Sequence, residues 1–207
     1  MVTVVYCTRQ ANPEYKEHLI KSSGLHKHLE VIEIINNGES LTKCYNRGLK
    51  QAKNNIIVFA HDDISFETNQ WGHKLLKQFD RHPEYGIIGL AGTKNLPASG
   101  QWWENRKKMY GQVGHTHEGK TWLSVYSPNM GLDIEEVVVI DGVFMAIDKT
   151  KIKCDFDEAV EGFHFYDINF CFDNYLKGVK IGVITVIKII HKFQVINMYL
   201  FLSFGIR

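Results

Sequence analysis

The chain has 207 residues, of which 44% are hydrophobic and 23% are charged, and its formal net charge is +1. This length suits one domain with a sizeable core, and the composition is too apolar for a disordered chain. The nearly neutral charge offers no electrostatic basis for binding nucleic acid, so we expect a partner of another class.

The cysteines and the first residues of the chain indicate a cellular compartment. Cys7, Cys44, Cys154 and Cys171 form no C-x-x-C pair, which argues against a zinc site and against a disulfide framework. The start of the chain lacks the basic residues, long apolar stretch and cleavage site of a signal peptide. We therefore expect a cytoplasmic protein, with residues 1–207 forming a single domain.

Strands and helices alternate along the first sixty residues. The predicted elements are strands at 2–7, 29–35 and 56–60 and helices at 13–22 and 41–52. Such alternation predicts an α/β fold with a mostly parallel central sheet flanked by helices. No G-x-G-x-x-G follows Cys7 and no P-loop occurs, so a phosphate cradle of glycine-rich backbone is not expected. We interpret residues 1–91 as a nucleotide-binding half.

The third strand ends in an acidic motif. Its apolar, β-branched run is typical of a strand covered on both faces, and His61, Asp62 and Asp63 follow it directly. In open α/β sheets the ligand crevice lies beyond the carboxyl ends of the strands. Two adjacent carboxylates there favour a divalent ion, Mg²⁺ or Mn²⁺, and one of them can instead bind a sugar hydroxyl. The alternative is an acidic turn without a ligand.

The middle of the chain predicts less regular structure. A helix from Trp71 to Phe79 and a strand at 85–91 precede residues 92–135, which are rich in Gly, Trp, His and Lys and show little periodicity. Such a long loop is usually functional or mobile. Trp102 and Trp103 are interpreted as core residues, with a sugar-stacking platform as the alternative for one of them. His115 and His117 have the H-x-H spacing of some metal ligands, and we interpret them as part of a solvated loop.

The last hundred residues supply further polar groups beside apolar runs. Two apolar runs within 136–147 are hinged at Asp141 and Gly142, where a glycine indicates a bulge or a close approach of the backbone to a ligand. Asp167 falls in the first turns of a helix, where the helix dipole also favours an acid. A final apolar strand is predicted over 181–190 and ends at His191.

These motifs occur in a set order along the chain. The order is Asn46-Arg-Gly48, then His-Asp-Asp at 61–63, Asp-Gly-Val-Phe-Met at 141–145, Phe-Asp-Glu at 156–158, Phe-His-Phe-Tyr-Asp at 163–167 and His191. Together they resemble the family 2 glycosyltransferases of the GT-A fold, in the branch whose acidic motif reads His-Asp-Asp. The resemblance covers roughly residues 2 to 191, and its specificity lies in the ordered set.

The resemblance implies roles for individual residues. Asp63 is expected to bind the metal, Asp62 the ribose or the metal, and His191 to complete the metal shell, while Asp167 matches the catalytic base. The expected contacts to the nucleotide sugar are, besides Asp62, Thr8, Arg9, Asn36, Asn46, Asp141 and Gly142. Residues 92–191 would then form the acceptor and catalytic half.

Two features depart from the family's pattern. Asn169 stands where this branch often carries a second acid, which puts in doubt a two-carboxylate role for that helix. Residues 192–207 form an atypical apolar tail that is too short to span a bilayer alone. We leave open whether the tail is a core helix, an interfacial helix or the product of an altered reading frame.

The leading hypothesis is a metal-dependent inverting glycosyltransferase. It would use Mn²⁺ or Mg²⁺ and move a sugar from a nucleotide-diphosphate donor, a uridine one, to a hydroxyl of a glycan or lipid-linked acceptor in surface polysaccharide or glycan synthesis. A lipid-linked acceptor would bring peripheral association with the inner face of the membrane. The alternatives are a metal-dependent phosphohydrolase built on residues 61–63 and His191, and a non-catalytic module that binds sugar nucleotides or glycans.

Overall fold

A computed structural model describes residues 1–36, 38–126 and 133–192. The strands are β1 (Val2–Thr8), β2 (Leu29–Ile35), β3 (Ile56–Ala60), β4 (Ile64–Phe66), β5 (Tyr85–Gly89), β6 (Ala91–Thr93), β7 (Met109–His117), β8 (Lys120–Val125), β9 (Glu135–Val137), β10 (Val139–Ile140), β11 (Phe144–Asp148), β12 (Lys180–Val183) and β13 (Ile189–Lys192). The helices are α1 (Pro13–Ser23), α2 (Leu41–Gln51), α3 (Trp71–Arg81) and α4 (Tyr166–Leu176), with short 3₁₀ turns at His26–His28 and Arg106–Lys108.

The strands form two sheets. The larger has the order β2-β1-β3-β11-β5-β12-β9, and the smaller has the order β10-β6-β7-β13-β4, with β8 paired to β7. The three N-terminal strands are parallel, as the sequence predicts, whereas β11 pairs antiparallel with both β3 and β5. The large sheet is therefore more mixed than the predicted sheet, because β11 enters it from the second half of the chain.

Local sequence explains the first elements. The apolar run of β3 lies between β1 and β11, and four of its five residues are buried. Asn12 begins α1 by accepting a hydrogen bond from the Tyr15 amide, and Pro13 takes the first helical position, where no amide is needed. α2 packs against β1 and β2, while α4 packs against β10 and β12.

The prediction of an irregular loop over 92–135 was wrong for its middle part, and residues 127–132 of it lie outside the described residues. Residues 109–125 form the hairpin of β7 and β8, and the predicted solvated loop around His115 is part of β7. Five of the six residues of β8 are exposed, so this edge strand has no alternation of apolar and polar residues to reveal it. Trp102 is buried, as predicted for a core residue, and Trp103 is exposed.

The predicted single strand over 181–190 is two strands in different sheets. β12 pairs with β5 and β9 in the large sheet, whereas β13 pairs with β4 and β7 in the small one. The continuous apolar run conceals this break because Ile184 and Ile187, in the connection between the strands, are buried as fully as strand residues.

Three predictions concern the membrane, the apolar tail and the division of the chain into two halves. Within the described ranges, no helix has the length and apolar character needed to cross a membrane. The tail from residue 193 lies outside the described residues. The division into a nucleotide-binding half and an acceptor half stays a prediction.

Candidate active site

The carboxyl end of β3 brings together side chains of the types that can bind a metal ion. His61 and Asp63 follow β3 directly, and β13 pairs with β4 so that His191 lies opposite Ile64. One ligand atom from each of His61, Asp63 and His191 lies within 4.8 Å of the other two. Asp63 Oδ1 is 3.1 Å from His191 Nε2 and 3.9 Å from His61 Nδ1. Residues separated by about 130 positions in the sequence thus meet at one sheet edge.

The chemistry of this group fits a divalent ion. Asp63 Oδ1 is buried, yet among the described residues no well-aligned hydrogen bond reaches it. Burial lowers the pKa of His61, which keeps the ring neutral as a metal ligand must be. Burial also acts to lower the pKa of His191, but its contact with Asp63 outweighs this and raises it. One carboxylate with two imidazoles suits Mn²⁺ better than Mg²⁺, which prefers oxygen ligands.

Asp62 lies beside the end of β1. It does not belong to the three-residue group, where His61 stands instead. Ala60, the last residue of β3, pairs with Tyr6, so the chain leaves β3 next to the last residues of β1. Burial raises the pKa of both Tyr6 and Cys7, and the charge of Asp62 contributes to raising each of them further. This position is compatible with the predicted contact to ribose, which stays a prediction.

Three buried tyrosines hold the end of β3 in place. Tyr15 Oη donates a 2.6 Å hydrogen bond to the His61 carbonyl, and Tyr45 Oη donates to the Ala60 carbonyl at 3.3 Å. Tyr166 Oη lies 2.9 Å from His61 Nε2. The three come from α1, α2 and α4, so the helices jointly orient the acidic motif. No local pattern of the sequence indicates these three contacts, because each joins residues at least fifteen positions apart.

Asp167 is held against the Asp141-Gly142 hinge. Its Oδ2 accepts a 2.7 Å hydrogen bond from the Gly142 amide, and its Oδ1 accepts one of 2.9 Å from the Ile168 amide. Burial and the nearby charge of Asp141 raise the pKa of Asp167 to about 7, and the hydrogen bonds from backbone amides limit the rise. A carboxylate with a pKa near neutrality is suited to accept a proton during a reaction.

Gly142 is required by close packing. A Cβ placed at this position would lie 2.1 Å from Tyr166 Oη and 2.9 Å from Asp167 Cβ. The predicted close approach of the backbone at this glycine is therefore an approach to α4. Any side chain here would displace both the tyrosine that contacts His61 and the candidate base.

We expect Gly142→Ala to reduce activity by moving the start of α4. Overpacking of this kind typically costs about 1 to 3 kcal/mol of stability, and the hydrogen bond to Asp167 would be distorted as well. The melting temperature and the sugar-transfer rate should both fall. A variant with the melting temperature and rate of the unchanged protein would contradict the packing role of this glycine.

Four further residues were predicted to contact the nucleotide sugar, and each of them either forms hydrogen bonds within the protein or lies at the surface. Asn46 donates to the Phe156 carbonyl and to Glu158 and accepts from the Phe156 amide, so its amide group joins α2 to that loop. Asn36 accepts from the amides of residues 38 and 39, and Thr8 donates to the carbonyl of residue 10. Arg9 is exposed. Thr8, Arg9 and Asn36 lie at the ends of β1 and β2, where the nucleotide is predicted, and their roles stay predictions.

Comparison of the sequence with protein families decides the family. A family described as "Glycosyltransferase like family" matches residues 7–199, which is most of the chain. The chain belongs to this glycosyltransferase family. A search of curated proteins found no match for the sequence. The predicted resemblance and the predicted enzyme class, a glycosyltransferase, are confirmed, while the His-Asp-Asp branch stays a prediction.

Solved structures show the same fold at low sequence identity. The chain is similar to S. aureus TarS 1-349 in complex with UDP-GlcNAc, with a TM-score of 0.60 and 14% identity over 99% of this chain and 61% of that one. It is similar to GalNAc-T7 with UDP, GalNAc and Mn2+, with a TM-score of 0.57 and 11% identity over 93% of this chain and 44% of that one. A197 from STIV matches with a TM-score of 0.51 and 11% identity over 93% of this chain and 86% of that one.

These similarities establish the fold of the glycosyltransferase. TarS and GalNAc-T7 are GT-A proteins, so the predicted α/β fold of GT-A type is confirmed. The chain spans 61% of the TarS chain and 44% of the GalNAc-T7 chain. Their donors and metal therefore inform this protein only as a proposal.

Proposed function

We propose that the protein is a metal-dependent inverting glycosyltransferase that uses a uridine diphosphate sugar as donor. The observation that carries the proposal is the meeting of His61, Asp63 and His191 at the end of β3, with Asp167 held separately at the start of α4. Two of the similar structures support the donor class, because one contains UDP-GlcNAc and the other contains UDP, GalNAc and Mn2+.

Asp167 takes the acceptor's proton in the proposed reaction. The acceptor oxygen forms a bond to the anomeric carbon while the bond from that carbon to the diphosphate breaks, and the nucleoside diphosphate leaves with the electron pair. The acceptor proton passes to an Asp167 carboxylate oxygen. Attack on the face opposite the leaving group inverts the anomeric centre, which requires a base outside the group that holds the diphosphate. Asp167 fulfils this requirement because it is not one of the three clustered residues.

His61, Asp63 and His191 would hold the metal. When bound, a Mn²⁺ or Mg²⁺ ion supplies positive charge beside the departing diphosphate. Asp62, which lies beside the end of β1, is assigned to the ribose. The tyrosines that hold Ala60 and His61 keep these ligands in position before the donor arrives.

The setting of the reaction follows from the donor. The proposed nucleotide-sugar donor is a cytosolic metabolite, so we place the protein in the cytoplasm. Its proposed acceptor is a glycan or a lipid-linked molecule. A lipid-linked acceptor would place it at the inner face of the membrane. No nucleic-acid partner is proposed for a chain with a net charge of +1.

Incubation with Mn²⁺ and a panel of nucleotide sugars tests the proposed function. We expect release of UDP from one uridine diphosphate sugar, faster with an acceptor than without one, and loss of this release after chelation of the metal. Release of inorganic phosphate without sugar transfer would instead indicate a phosphohydrolase. Binding of the nucleotide without turnover under any condition would indicate a binding module.

His191→Ala should weaken donor binding less than loss of Asp63 does. A neutral imidazole supplies one of several ligands, and water can partly replace it, whereas the carboxylate also supplies the negative charge. We expect the affinity for UDP with Mn²⁺ to fall by about tenfold, the lower end of the range for disturbed metal sites. Calorimetric titration measures this, and a loss equal to that of Asp63→Ala would refute the ranking.

A further inference from the structure

The hairpin of β7 and β8 has a fixed register. Its turn residues Glu118 and Gly119 both have positive φ, +48° and +75°, as the two central residues of a type I′ turn require. Beside the turn, Thr116 and Thr121 join the strands through a 2.8 Å hydrogen bond between their hydroxyls. This turn places Trp122 directly opposite His115.

A row of three rings leads from the candidate metal site to the edge of the small sheet. His191 on β13 lies opposite His115 on β7, and His115 lies opposite Trp122 on β8. Residues opposite each other on paired strands point to the same face. The ring centroids of His191 and His115 are 6.3 Å apart, and Trp122 stacks on His115 at 5.4 Å with an interplanar angle of 27°.

Trp122 keeps a large exposed surface although one side packs on His115. Its side chain is 47% exposed, whereas Trp71 and Trp102 are buried. Single exposed apolar residues are common on proteins and need no explanation by themselves. This tryptophan differs from them because its ring is oriented by a stacked neighbour that contacts a candidate metal ligand.

The polar groups of the crevice follow a spatial order. Asp62 lies beside the end of β1, which is the side proposed for the nucleoside. Asp63 and His191 come next, and the row then continues outward through His115 to Trp122. A donor whose diphosphate lies at the metal group and whose nucleoside lies toward β1 would direct its sugar, and the acceptor beyond it, toward Trp122.

The candidate base lies next to the group of residues at the end of β3. Asp167 follows Tyr166, whose Oη lies 2.9 Å from His61 Nε2. The rings of His61 and His191 have centroids 5.4 Å apart, and His191 begins the row of rings. Asp167 and the row therefore adjoin the same three residues, and an acceptor that lies against this group would reach both.

We propose that Trp122, oriented by His115, is a platform for a pyranose ring of the acceptor. This inference rests on the proposed function and adds an acceptor subsite to it. The C–H bonds on one face of a pyranose form an apolar surface that packs on the electron-rich face of an indole. The hydroxyl groups around the ring remain in water or bind polar groups of the crevice. The acceptor is accordingly a saccharide.

Titration with methyl pyranosides tests the platform. Nuclear magnetic resonance with methyl glycosides of glucose, galactose, N-acetylglucosamine and N-acetylgalactosamine should show saturable binding of at least one of them. We expect Trp122→Ala to weaken that binding by about tenfold, which corresponds to the energy of one aromatic stacking contact. Trp122→Phe, which keeps a smaller aromatic face, should retain part of the affinity.

Trp103→Ala is the matched control. Trp103 is also an exposed tryptophan, at 52%, but it lies outside the row of rings, so its loss should leave pyranoside binding unchanged. Absence of pyranoside binding to the unchanged protein, or equal binding to Trp122→Ala, would overturn the platform. Equal losses in the Trp103 and Trp122 variants would overturn it as well.

Separate titration of UDP with Mn²⁺ distinguishes failure of the platform from failure of the proposed function. We expect Trp122→Ala to bind UDP with unchanged affinity, because the nucleoside side of the crevice is not altered. A protein that binds a pyranoside through Trp122 but never binds UDP would retain the platform and lose the proposed function. A protein that binds UDP normally but binds no pyranoside would retain the proposed function and lose the platform.

Discussion

Asp167→Asn should slow sugar transfer by about a hundred- to ten-thousand-fold while donor affinity stays unchanged. The amide has nearly the same size as the carboxylate but cannot take a proton from the acceptor. Asp167 is not among the three clustered residues at the end of β3, so the donor should bind as before. Transfer rate, UDP affinity and melting temperature are measured on this one variant.

Asp173→Asn provides the matched control for this experiment. Asp173 lies on the same helix α4, further from its start, and the same substitution there should leave the transfer rate unchanged. If Asp167 only stabilised the first turn of the helix, its replacement would cost about 1 kcal/mol of stability and leave turnover nearly intact. A collapse of donor affinity would instead assign Asp167 to the donor site.

The pH dependence of transfer provides a second test of the base. Burial and the charge of Asp141 raise the pKa of Asp167 to about 7, so the carboxyl group keeps its proton up to neutral pH. Only the deprotonated form can accept a proton, so the rate should rise with pH, level off above about 7, and fall about tenfold per unit below it. Asp141→Asn removes a negative charge that raises the pKa of Asp167, so the fall in rate should move to lower pH. A midpoint unchanged in Asp141→Asn would contradict the assignment.

Asp63→Ala should abolish the metal-dependent part of UDP binding. Asp63 is the only carboxylate in the three-residue group, and its loss leaves two imidazoles to hold a hard cation. Disturbing an outer-shell partner of a metal typically costs about 10- to 100-fold in affinity, and loss of a direct ligand should exceed that range. Calorimetry of UDP with and without Mn²⁺ measures the effect.

An exposed aspartate serves as the control for Asp63. Asp80 on α3 is exposed, and Asp80→Ala should leave the titration unchanged. UDP affinity that still depends on Mn²⁺ in Asp63→Ala would move the metal site away from the end of β3. Weakened binding that no longer responds to Mn²⁺ is the expected result.

Local sequence patterns are sufficient to predict the N-terminal architecture and its acidic edge. The apolar runs of β1, β2 and β3 and the helices between them were predictable because each forms a short, continuous local signal. The position of Asp62 and Asp63 beyond β3 followed from the rule that ligands bind at carboxyl ends of such strands. The ordered motifs also indicated the family.

The identity of the side chains that share the site depends on long-range packing. His61 joins Asp63 and His191 because β13 pairs with β4, and no local pattern specifies pairing between strands so far apart in sequence. Tyr166 and Gly142 meet because α4 packs against the hinge. The aromatic row ending at Trp122 depends on two strand registers, one parallel and one antiparallel. Such registers are set by long-range packing, whereas the sequence signal for β8, an exposed edge strand, is too weak to predict even the strand.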